Sequence, residues 1–179
     1  MHGLIFVQLK KYCDARLGAA AWDSLRLEAG MPGRDFLAAE SYADGDALAL
    51  ITAACRITRQ EPAAVLEDFG AFMTPDLMKL YGALAPRTWR TLDFLEHLED
   101  TIHRVVRQRM PGATPPALQC ARTADGEVTI TYTSPRKLCA LARGLAHGVA
   151  GHFNEQVRIH EPSCMLRGAS SCQLIVRRQ

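Results

Sequence analysis

Apolar residues recur with a helical period through the first two-thirds of the chain and with a strand period after Pro116. Residues 3–13 read as an apolar-rich opening helix. Residues 19–28, with Trp22, Leu25 and Leu27, read as a second, ended by the breaker run Gly30-Met-Pro-Gly33. Asp44 or Asp46 suits the cap of a helix carrying Leu48, Leu50, Ile51 and Ala54. Pro62 fits the first turn of a helix over 63–72, and Thr74-Pro75-Asp76 reads as cap and first turn of another over 77–84. Thr88 precedes a long amphipathic segment, 89–109, with the stripe Leu92, Leu95, Ile102 and Val106. Met110-Pro-Gly-Ala-Thr-Pro-Pro116 stops it.

After Pro116 the period falls to two. Residues 118–122 predict a strand, Asp125-Gly126 a hairpin turn, and 128–134 its partner. Pro135 opens a predicted helix to about Phe153, rich in small residues at Gly144, Gly148 and Gly151, and 157–159 and 173–176 close the chain as strands. The expected class is α+β: a helical N-terminal lobe, then a C-terminal lobe with a mainly antiparallel four-stranded sheet and packed helices.

A length of 179 residues suits one domain. A net charge of +2, with Lys10-Lys11 and Arg177-Arg178 as pairs rather than patches, gives no nucleic-acid footprint. Gly3-Leu-Ile-Phe-Val7 is too short for a signal-peptide core, and no stretch has the length of a membrane span, so a cytoplasmic protein is expected. Its six cysteines then read as thiols or metal ligands rather than disulfides.

Two constellations carry chemistry. Tyr132, Ser134 and Arg136 stand at i, i+2 and i+4 at the end of a strand, so they share a face. A phenol, a hydroxyl and a planar guanidinium together form a clamp for an anionic ligand. His103 lies 29 residues before Tyr132, close to the apolar stripe. By itself such a histidine is more often a hydrogen-bonded core residue than a ligand, but with a carboxylate clamp it points to haem. The second constellation is His160, Cys164 and Cys172, spaced His-x₃-Cys-x₇-Cys, with Cys139 just after the clamp. Three thiolates and an imidazole are a structural zinc set; the plainer reading is separate buried thiols. Cys13, Cys55 and Cys120 read as core, and His147 and His152 as surface or packing residues.

Together these features resemble the H-NOX family, the haem nitric oxide/oxygen-binding domains of bacterial sensors and soluble guanylate cyclase. The resemblance rests on Met1-x-Gly3, Trp22 followed by Gly30, His103 eight residues before Pro111-Gly112, Pro116, Cys120 and Tyr132-x-Ser134-x-Arg136. It implies a single domain, 1–179, with a distal helical lobe (1–60) and a proximal lobe (61–179) carrying the ligand helix and the sheet. His103 would be the proximal iron ligand of haem b, Tyr132, Ser134 and Arg136 would hold the propionates, Pro116 would press on the haem plane, and Ile5 would line the other side. The register is one residue off: counting from Phe94-Leu95 points to Ile102, counting back from Pro111 to His103. An inserted residue absorbed as a helix bulge accounts for both. The Cys139, His160, Cys164, Cys172 set resembles a subgroup whose Cys₃His zinc site responds to oxidation.

Family members that hold O₂ carry a distal tyrosine on the helix after the clamp, where this chain has Ala140-Leu141-Ala142. Leu9 stands where a supporting aromatic would be expected, and Tyr42 and Tyr81 read as helix-packing residues. The resemblance therefore implies a nitric oxide sensor without catalysis, in which release of His103 shifts the lobes. Any output domain is expected on a separate protein, a histidine kinase or a diguanylate cyclase. A haem-free zinc–thiol redox switch of related fold is the alternative. A peroxidase would need distal acid–base residues that the chain does not offer there.

Overall fold

In the computed structural model, which describes residues 1–110 and 112–179, α1 (Gly3–Leu17) starts hard against another stretch of backbone. A Cβ on Gly3 would lie 1.9 Å from the Leu37 carbonyl oxygen, so only glycine fits. The His2 ring caps the helix, its Nδ1 accepting from Leu4 N–H at 3.3 Å. Then follow α2 (Ala21–Glu28) and α3 (Asp44–Thr58). Asp44 and Asp46 occupy the first turn of α3 rather than its cap, which is Ala43. There their charges still favour the helix N-terminus.

Two expected helices are one: α4 runs Pro62–Tyr81 with Pro75 inside it. An interior proline costs about 3 kcal/mol. Burial of Met73 and Met78 on either side of it is worth about 1.5–3 kcal/mol each, enough to offset that cost.

The expected long helix over 89–109 is instead three pieces. α5 (Thr91–Glu96) leads into a π-helical turn (Glu99–His103) and then α6 (Arg104–Arg109). The Arg104 N–H reaches back five residues to the Glu99 carbonyl, the signature of an inserted residue. This is the bulge that the register offset called for. Pro111, at which the sequence ends this helical stretch, lies outside the described residues.

The sheet comprises β1 (Ala117–Ala124), β2 (Glu127–Thr133), β3 (Val157–Ser163) and β4 (Cys172–Arg178), ordered β1-β2-β4-β3 with every pairing antiparallel. α7 begins only at Cys139 and ends at His152. The expected start at Pro135 fails because 134–137 form a turn, closed by Lys137 N–H to Ser134 O and with Lys137 at φ 51°.

α7 separates two hydrophobic clusters. Its Ala146, Val149 and Ala150 join the sheet's inner residues, while Leu141 and Leu145 face the cluster built from α1–α4. Its backbone meets that of α4 directly: a Cβ on Gly144 would come 2.0 Å from the Glu67 carbonyl, and one on Gly70 2.5 Å from that of Leu141. Among the described residues no helix is long and apolar enough to cross a membrane.

Candidate functional site

A predominantly apolar cavity of about 270 Å³ opens where the two clusters meet. Its wall draws on α1, α4, the π turn, the sheet and α7, so no single element defines it. His103, Pro116, Tyr132, Ser134, Arg136 and Ile5 all line it, although they are spread over most of the sequence.

His103 closes the π turn and its imidazole lines the cavity; the expected alternative register, Ile102, also lines it as an apolar residue packed in the sheet cluster. The imidazole is 15% exposed, with Nδ1 2.8 Å from Glu99 Oε2. Burial pushes the His103 pKa below its usual value, outweighing the opposite pull of the Glu99 carboxylate, so the ring is neutral at pH 7. With its proton shared toward Glu99, a neutral ring keeps a lone pair on Nε2 for a metal. His97 is absent from the cavity wall. Its ring stacks on Trp89 at 4.7 Å, and its Nδ1 lies 2.9 Å from Asp93 O.

The three clamp residues reach the cavity differently from the extended arrangement expected. Only Tyr132 belongs to β2; Ser134 and Arg136 are brought in by the turn that follows. Tyr132 accepts from Leu138 N–H at 3.2 Å, and burial raises its phenol pKa, so its own proton stays available. Ser134 is buried and its hydroxyl oxygen accepts from Arg136 N–H at 3.3 Å. The Arg136 guanidinium donates to Thr114 O at 2.6 Å and to Thr114 Oγ1, while Nε lies 2.8 Å from Asp44 Oδ2. That last contact is an ion pair by distance but lacks hydrogen-bond alignment, so Nε remains a buried, unpaired donor.

The donor set therefore fits a haem: an apolar slot, a neutral imidazole on one wall, and two hydroxyls and a buried N–H beside the turn for propionates. Ile5 and Leu141 add apolar side chains to the lining. Tyr81, expected to serve helix packing, instead lines the cavity, with its hydroxyl donated to Met110 Sδ at 3.2 Å. The Thr74 hydroxyl there is committed to the Gly70 carbonyl at 2.8 Å. Tyr42 is absent from the wall and serves the 37–42 loop, accepting from Leu37 N–H at 2.7 Å. Leu9 packs in the α1–α4 cluster rather than in the cavity wall.

The second constellation is altered in one member. Cys139, Cys164 and Cys172 come together as buried thiols, with Sγ–Sγ distances of 3.6 Å (139–164) and 3.9 Å (164–172). His160 is not with them. On β3 the inward positions are Val157, Ile159 and Glu161, and His160 points out to solvent. Glu161 takes the fourth place, and the four donor atoms lie within 4.8 Å of one another. Its Oε2 meets Arg143 at 2.8 Å, whereas its buried Oε1 has no hydrogen-bond partner. The apolar alternation of Val157 and Ile159 was the signal in the sequence that 161, not 160, faces inward. Burial raises the Cys139 and Cys172 thiol pKa values, so both are protonated without a metal.

Comparisons with known proteins follow the same lines. A family model described as haem-NO-binding matches residues 2–161. Among solved structures, the chain is similar to an H-NOX protein from S. oneidensis in the Fe(II)NO ligation state. Identity is 26% and TM-score 0.93, covering 100% of this chain and 99% of that one. It also shares its fold with a mutant Fe(II) unliganded H-NOX protein from K. algicida, at 19% identity, TM-score 0.90 and coverage of 100% and 97%. A mutant T. Tengcongensis H-NOX gives 19%, 0.86, and 100% and 98%. No curated protein sequence matches the chain.

Proposed function

The chain belongs to the haem-NO-binding (H-NOX) family of haem-based gas sensors, and on that premise we propose that it senses nitric oxide and signals to a separate protein. The observation that carries this reading is the convergence of His103 and the Tyr132, Ser134 and Arg136 donors on one apolar cavity. His103 would ligate the iron through Nε2, the three donors would hold the propionates, and Pro116 and Ile5 would bound the haem on its two sides.

Haem b bound in the cavity would supply a ferrous iron with affinity for nitric oxide, with His103 as the protein ligand that responds to it. The chain's own part is to select and to respond. Stable O₂ binding needs a hydrogen-bond donor over the ligand. Here Leu141 and Ile5 are apolar, and the Thr74 and Tyr81 hydroxyls are already committed. Nitric oxide needs no such donor. A freed His103 would release the π turn and α6, letting the 1–60 lobe shift against the 61–179 lobe as a two-state element. A histidine kinase or diguanylate cyclase in trans would read that shift, with no catalysis by the domain itself.

The thiol cluster supports a second input. Cys139, Cys164 and Cys172 would hold zinc, with Glu161 as the carboxylate ligand in place of His160. Oxidation of the thiols would release the metal and loosen the start of α7.

Ultraviolet–visible spectra of the ferrous protein and its His103→Ala variant test the haem reading. Wild type should show a Soret band that nitric oxide shifts and O₂ leaves unchanged. The variant should lose haem unless imidazole is supplied. Normal haem content and response in the variant would refute the ligand assignment.

A further inference from the structure

The π turn is bounded by a carboxylate at one end and the cavity histidine at the other. Glu99 Oε2 lies 2.8 Å from His103 Nδ1, and both side chains are largely buried. The second oxygen of Glu99 is held by Arg107, whose guanidinium also donates to the Pro116 carbonyl at 3.3 Å. Arg107, Glu99 and His103 thus form one relay that ends on Nδ1 of the cavity histidine and leaves Nε2 as its other ring nitrogen. No other carboxylate among the described residues is hydrogen-bonded to His103.

We propose that Glu99 is a positioning residue that fixes the orientation and tautomer of His103 and strengthens the bond its Nε2 makes to haem iron. The proposal rests on His103 being the iron ligand. Its physical basis is that a ligating imidazole made to donate to a full negative charge gains imidazolate character and becomes a more basic ligand. A neutral carbonyl such as that of Pro116 orients a ring without transferring charge. An anion one ring away from iron also favours the ferric over the ferrous state. Arg107 opposes both effects, because the hydrogen bond it makes to Glu99 draws charge away from His103. The pair therefore sets how firmly His103 is held, and hence how completely nitric oxide can detach it.

The experiment compares haem-loaded wild type, Glu99→Gln and Arg107→Gln. Glu99→Gln keeps the shape and a hydrogen-bond acceptor but removes the charge. In the ferrous state its iron–histidine stretching band, read by resonance Raman, should move to lower frequency. Its reduction potential should rise, and after nitric oxide is added His103 should leave on the order of tenfold faster. Arg107→Gln leaves both partners in place and should move band and potential in the opposite directions, which keeps the test open if Glu99→Gln holds haem poorly. An iron–histidine band unmoved in both variants overturns the proposal while leaving His103 as the ligand. Absence of that band from the wild type overturns the ligand assignment, and the proposal falls with it.

Discussion

Arg136 of the cavity lining meets Asp44, Nε to Oδ2 at 2.8 Å, and the other oxygen of the same carboxylate accepts from the Met1 amine at 2.8 Å. The clamp turn, the first turn of α3 and the chain's N-terminus are therefore tied at one point. Asp44→Asn should remove the charge that anchors Arg136 and the Met1 amine. The carboxylate is 39% exposed, so the stability lost should be modest, roughly 0.5–1 kcal/mol by urea unfolding. The clearer effect should be faster transfer of haem to an apo-haem acceptor, since Arg136 loses its support. Unchanged transfer would separate Asp44 from the clamp.

The same tie has a pH limit. Burial alone would raise the Asp44 pKa, but the hydrogen bond from the Met1 amine and the charge of Arg136 outweigh it and hold the group below its ordinary 3.8. A lowered folded-state value means the contribution is fully present above 3.8 and is lost as pH falls through the lower value. Between pH 5 and 8 Asp44 should add no pH dependence to stability. Wild type and Asp44→Asn should differ there by a constant amount and converge only in acid, as read from unfolding curves at stepped pH.

Gly144→Ala would drive a methyl group to 2.0 Å from the Glu67 carbonyl, where neither backbone can yield cheaply. It should destabilise the fold by roughly 2 kcal/mol or more. Gly151→Ala, on the same helix with open space around it, should be neutral or slightly stabilising because alanine favours helix. Equal midpoints in a denaturant titration would contradict the close helix contact.

At the thiol cluster, Glu161→Ala should weaken zinc binding by about tenfold or more, while His160→Ala leaves it intact; the reverse order would restore His160 as the ligand. Because the Cys139 and Cys172 thiols are held protonated in the metal-free state, zinc uptake should release protons and tighten as pH rises. Proton release measured in weak buffer during titration of about one zinc per chain checks this.

Local pattern carried much of the fold. The switch of period after Pro116, the Asp125-Gly126 turn and the apolar stripes of the helices were all legible, because each reflects a face that must be buried. What escaped were features decided by distant neighbours. Pro75 reads locally as a helix start, yet packing of Met73 and Met78 carries α4 through it. The π turn has no local motif, and only the conflict between two residue counts exposed it. Of the cavity residues, Tyr132, Ser134, Arg136 and His103 were legible as chemistry. Thr114, and the partners Asp44 and Glu99 that hold Arg136 and His103 from outside the lining, were not, since nothing near them in sequence reveals those contacts. His160 lies away from the thiols because the alternation of β3, not the spacing to Cys164, decides which residue faces inward.

The bare contact between α4 and α7 has a mechanical consequence. With carbonyls where side chains would normally interleave, the two helices have no compressible layer between them and no ridge to slip over. They must tilt as one beam. One end of that beam starts at Cys139 among the thiols, and its flank carries Met73 and Leu141 into the cavity wall. Arg143 pins the middle, joining Glu67 on α4 at 3.1 Å to Glu161 on β3 at 2.8 Å. A displacement at the thiol end would thus be transmitted to the cavity wall rather than absorbed on the way.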